Sequence, residues 1–122
     1  TYPQIDHSRI YVMGHSMGGR GSWDWIQQSP ERFAAAAPGG FSGVSENDDY
    51  AKLANFPVFG MVGGEDVKNV ASVKKMTTLL KVAGNKNVKY IAFPGANHAQ
   101  GNKKLFSHVE CVDWMLNFSS EH

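Results

Sequence analysis

Gly14-His15-Ser16-Met17-Gly18 sets one serine between glycines placed two residues to either side. This G-x-S-x-G pattern is the signature of a nucleophile elbow, a strained strand-to-helix turn that holds a serine hydroxyl above a sheet edge. Side chains at Gly14 or Gly18 are expected to collide with the neighbouring strand and helix, which is the steric reason for glycine at both. A helix starting just after Ser16 would point its positive end at the hydroxyl. It would also offer the Met17 backbone N–H to a developing oxyanion.

A serine hydroxyl is a poor nucleophile without a base. His98 is the expected base, because "YIAFPGANHAQG" reads as a strand, a turn and then a histidine on a loop. The other histidines compete poorly. His7 precedes the first strand, His15 should point away from Ser16, His108 falls on the last helix and His122 is terminal. A third group must orient the imidazole and stabilise imidazolium. Asp66 in "FGMVGGEDV" follows a strand and is preferred over its neighbour Glu65. Asp24, Asp48 and Asp49 read as solvated carboxylates. No histidine or carboxylate spacing matches a zinc site, so neither metal nor other cofactor is expected. Gly39-Gly40 and Gly63-Gly64 fit strand-end turns rather than a nucleotide-binding loop.

These residues need strands that end beside one another. "RIYVMG" (9–14) reads as a buried strand and 17–28 as a helix with Trp23 and Ile26 on its inner face. Trp25 points elsewhere on that helix. Ser29-Pro30 stops the helix and suits one further turn. "RFAAAAPGG" (32–40) reads as a strand whose small side chains let helices lie close. Residues 41–56 read as a polar loop with one helical turn. "PVFGMVGG" (57–64) and "VKYIAFPG" (88–95) are further strands. Val70, Val73, Met76, Leu80 and Ala83 mark an amphipathic helix ended by Gly84-Asn85. Leu105, Val109, Val112 and Leu116 predict one last helix over 105–118, with Cys111 as a small buried apolar residue. Alternating strands and helices predict an α/β fold: a mostly parallel sheet of about four strands with helices on both faces.

The chain has 122 residues, enough for one domain, 1–122. Its 42% apolar and 19% charged content is that of an ordinary globular protein. The net charge of +1 gives no footprint for nucleic acid. No apolar run approaches the roughly 20 residues of a membrane span. The lone Cys111 leaves cytoplasmic and secreted locations both open. The opening "TYPQIDHSRI" reads like a loop leading into a strand, as if inside a longer fold.

Three stretches carry a resemblance: "DHSRIYVMGHSMGGRGSWDWIQQSPERFAAAAPGGF", "FPVFGMVGGEDV" and "VKYIAFPGANHAQG". The chain resembles the C-terminal half of an α/β-hydrolase, of the predicted peptidase, polyhydroxyalkanoate-depolymerase-like or feruloyl-type esterase group. The chain order Ser16, Asp66, His98 is the order in which that fold presents its triad. The resemblance implies a truncated hydrolase whose four strands are contiguous, with the early strands and the loop of a second oxyanion donor absent. It further implies a serine esterase that cleaves small or short-chain carboxylic esters through an acyl-enzyme, since no long lid lies between Phe41 and Phe56. The alternatives are a non-catalytic binding or assembly module and a serine peptidase. The strand at 9–14 would become an exposed edge, so a homodimer or higher oligomer is expected through it or nearby apolar surface.

Overall fold

The computed structural model describes residues 7–120, so positions 1–6 of the expected leading loop lie outside the described residues. A short 3-10 turn (His7–Arg9) leads into β1 (Tyr11–His15), α1 (Met17–Gln28) and a second 3-10 turn (Pro30–Arg32). There follow β2 (Ala35–Gly39), β3 (Val58–Gly63), α2 (Val67–Val82), β4 (Val88–Phe93), α3 (His98–Phe106) and α4 (Val109–Met115). All strand pairs are parallel, and the sheet runs β1-β2-β3-β4 in chain order. Proline at the first position of the second 3-10 turn fits its fixed φ, as the sequence predicts.

Strand alternation assigns the two faces. Ala36, Val58 and Val62 join Trp23 and Ile26 of α1 and Val73, Met76 and Leu80 of α2. Ala35, Ala37, Phe59 and Met61 point the other way and pack with Leu105 of α3 and Cys111 and Met115 of α4. The alanine run 34–37 is fully buried, and its small side chains let α1 lie close. A Cβ on Gly19 would sit 2.1 Å from the Gly39 carbonyl oxygen, so only glycine permits that helix-to-strand approach. Trp23 is buried, whereas Trp25 is 47% exposed. Burial also raises the Cys111 thiol to about 12, which keeps it protonated.

The elements differ from the sequence reading at several points. Arg9 belongs to the first 3-10 turn, and β1 instead extends through His15. Ala83 lies past the end of α2 and is exposed, with Gly84 at φ 98° turning the chain out of the helix. The single helix expected over 105–118 is two. Ser107 donates its hydroxyl back to the Lys103 carbonyl at 2.7 Å, and His108 takes an extended backbone that caps α4. The break rotates the apolar face: Val109, Val112 and Leu116 are exposed, and Cys111 and Met115 turn inward. Finally, residues 41–56 hold turns but no helix, yet Phe41, Val44, Tyr50, Leu53 and Phe56 are buried in the main core. Asn85, itself buried, donates to the carbonyls of Leu53 (2.8 Å) and Phe56 (2.7 Å). Trp23 Nε1 donates to Asp48 at 2.9 Å, so Asp48 ties the loop to α1 rather than resting in solvent. Asp24 pairs with Arg20 one turn away while keeping nearly half of its side chain exposed, as expected of a solvated carboxylate.

Candidate active site

Ser16 stands between the last residue of β1 and the first of α1. Its backbone has φ 61° and ψ −119°, and among the described residues it is the one non-glycine with positive φ. Such a conformation costs on the order of 1–3 kcal/mol and must be imposed by its surroundings. The surroundings do so at both ends. The Ser16 N–H donates to the Gly39 carbonyl at 3.1 Å, and its own carbonyl accepts from the Arg20 N–H at 3.0 Å. The first pins the turn to β2, and the second closes the first turn of α1.

The glycines divide differently from expectation. A Cβ on Gly14 would lie 2.1 Å from the Gly18 carbonyl oxygen, so glycine is required there. A Cβ on Gly18 would meet nothing within 4 Å. Gly18 faces open space, and the second tight position is Gly19 against Gly39. Met17 is the first residue of α1, so its N–H has no carbonyl one turn back to bond within the helix.

Asp66 precedes α2 just beyond the end of β3, and His98 opens α3 beyond β4. The base expected on a loop is therefore the first residue of a helix. Its position is set by a capping box: the Asn97 side chain accepts from the Gln100 N–H at 2.9 Å, and the Gln100 side chain accepts from the Asn97 N–H at 2.9 Å. His98 Nδ1 lies 2.5 Å from Asp66 Oδ2. A carboxylate only accepts, so Nδ1 carries the proton and Nε2 is left as the basic nitrogen. It is Asp66, not Glu65, that meets His98. The Asn69 amide also donates to Asp66 Oδ2, at 2.9 Å.

Ser16, Asp66 and His98 border one cleft of about 430 Å³, together with Arg20, Lys68 and Asn69. Among the described residues no hydrogen bond joins Ser16 to His98. Such bonds are often long before a substrate draws the groups together. Arg20 and Lys68 add cationic character to the cleft, although Arg20 is engaged by Asp24. No group of three or more His, Cys, Asp or Glu side chains converges as a metal site among the described residues.

Asn69, Arg20 and Lys68 enter the site although the sequence did not single them out, and His15, expected to point away from Ser16, joins it through His98. The His15 side chain packs on His98, and its Nε2 is buried with no hydrogen-bond partner among the described residues. A Cβ on Gly40 would come within 2.2 Å of that nitrogen. Desolvation is the main cause that lowers the His15 pKa below its ordinary 6.5. The nearby His98 lowers it further, and Asp66 opposes both. Asn69 could have been found from the helix start: it lies three residues past Asp66, the spacing that brings an early helical side chain back over the residue before the helix.

The model of the dienelactone hydrolase family matches residues 1–110. A Salmonella typhimurium protein named "Putative carboxymethylenebutenolidase" is 32% identical over an alignment of 102 residues that covers 77% of this chain and 37% of that protein. The crystal structure of a thermostable esterase superposes with a TM-score of 0.79 at 27% identity, covering 94% of this chain and 32% of that one. Esterase PE8 superposes with a TM-score of 0.74 at 18% identity, covering 92% of this chain and 53% of its own. At that identity the likeness shows the fold alone. The chain thus spans about a third to a half of the length of these relatives.

Proposed function

Because the chain belongs to the dienelactone hydrolase family, and so to the α/β-hydrolases, we propose that it is a serine hydrolase of small or short-chain carboxylic esters. The observation that carries this reading is the hydrogen bond between His98 and Asp66 in the cleft that Ser16 borders. Ser16 attacks the ester carbonyl while His98 Nε2 takes its proton. Asp66 holds the Nδ1–H tautomer and balances the imidazolium. The Met17 N–H, at the positive end of α1, donates to the oxyanion of the tetrahedral intermediate. His98 then returns the proton to the leaving alkoxide, giving an acyl-enzyme. Water activated by the same nitrogen releases the acid and restores Ser16.

The cleft volume of about 430 Å³ suits a small acyl and alcohol pair. The test is turnover of a p-nitrophenyl ester series by the wild type and by Ser16→Ala. The reading expects short acyl chains to be hydrolysed and Ser16→Ala to lose activity to background. Equal rates for the two proteins would leave a non-catalytic binding module in its place. His98→Ala with undiminished turnover would remove the base assignment.

A further inference from the structure

We propose that Asn69 is a positioning residue for this proton relay, holding the Asp66 carboxylate toward His98; the inference rests on the serine-hydrolase reading above. Asp66 occupies the residue before α2, where an aspartate side chain ordinarily accepts from the backbone N–H two or three residues on. Asp66 makes no such cap. Asn69 is the third residue of α2, and its side-chain amide, not its backbone N–H, bonds Asp66 Oδ2 at 2.9 Å. The same oxygen receives His98 Nδ1–H at 2.5 Å, and the two donor nitrogens lie 3.4 Å apart.

The arrangement solves a local competition. A carboxylate at a helix start has a ready partner in the helix itself, and taking it would turn the oxygen away from His98. Asn69 supplies a donor from the same turn while leaving the carboxylate facing the cleft. An amide can do this without adding charge, because its NH₂ donates and is neutral. Loss of the Asn69 amide frees Asp66 to cap α2, and His98 loses its orienting partner. The other charged or titratable groups around the pair are His15 from β1, Arg20 from α1 and Lys68 from α2.

The test uses p-nitrophenyl acetate with the wild type, Asn69→Ala, Asn69→Asp, Asp66→Ala and the Asp66→Ala/Asn69→Ala pair, each checked for an unchanged melting curve. Asn69→Ala should lower kcat about tenfold, as for one hydrogen bond to a charged group, with KM unchanged. In the Asp66→Ala background the same change should cost nothing more, since Asn69 acts through Asp66. Asn69→Asp keeps the shape but sets a second carboxylate beside Asp66 and His98. It should move the acid limb of kcat/KM to higher pH by about one unit, whereas Asn69→Ala, by loosening Asp66 from His98, should move that limb to lower pH. Additive losses in the double variant, a change confined to KM, or an acid limb unmoved by Asn69→Asp would overturn the inference. If Ser16→Ala matches the wild type, the hydrolase reading itself has failed; if activity depends on Ser16 and Asp66 but not on Asn69, only this inference has.

Discussion

The ring of His15 packs on the ring of His98, with centroids 4.6 Å apart and planes inclined at 41°. The contact joins the residue before the serine to the residue that hydrogen-bonds Asp66. In the proposed mechanism a neutral His15 suits this contact, because a charge there would face the imidazolium that His98 would form.

Burial and His98 both lower the His15 pKa from 6.5, against a smaller opposing pull from Asp66. The unfolded chain therefore binds this proton at a higher pH than the folded chain does. Stability from this group is complete above pH 6.5 and is lost as the pH falls below it toward the folded value. His15→Leu removes the titration. On acidification from pH 7.5 to 5, the wild-type Tm should fall further than that of His15→Leu. Parallel declines in scanning calorimetry would show that His15 carries no such linkage.

Gly14 and Gly18 should respond in opposite directions to the same methyl group. Gly14→Ala drives a Cβ to 2.1 Å from a backbone oxygen, and overpacking of this kind costs about 1–3 kcal/mol. Gly18→Ala meets open space inside α1 and should stabilise by about 0.5–1 kcal/mol through helix propensity. Urea melts of the two variants separate the cases, and a shift of both midpoints in one direction would contradict them.

Asn85 should matter more than its place after a helix suggests. Asn85→Ala leaves the buried carbonyls of Leu53 and Phe56 without their donor, a loss of about 2–3 kcal/mol. The loop 41–56 that those carbonyls anchor also places Phe41 beside Ser16 in the cleft. The variant should therefore lose stability in urea and, with it, the ester turnover proposed above. Unchanged stability would mean that the loop is held by its apolar side chains alone.

The strands were legible because each is a short β-branched, aromatic or alanine run bounded by glycine or proline. Ser16 directly follows such a run, whereas Asp66 and His98 lie a short turn beyond theirs, and that placement is what singled the three out. The loop over 41–56 was not legible as core. Its five buried side chains follow no helical or strand period, and distant partners, Trp23 and Asn85, hold it in place. The break between α3 and α4 was hidden by Leu105, Val109, Val112 and Leu116, whose spacing suits one continuous helix. What ends α3 is Ser107 bonding back to Lys103, together with the ring of His108 wedged against Phe59 and Phe93. Gly18 and Gly19 could not be ranked from their identity, since only the approach of Gly39 makes one of them obligatory.

Each strand lies beside the strand that precedes it in the chain, so every sheet contact closes across a single crossover. Loop-closure entropy grows only slowly with length, so each crossover adds a modest closing cost. Ser16 and Asp66 both precede β4. His98 follows it, on a helix that seats over Gly39 and Gly63 only when β2 and β3 are in register. Ser16, Asp66 and His98 therefore come together only once the four strands of this sheet have paired, and in the proposed mechanism the serine has no base before that.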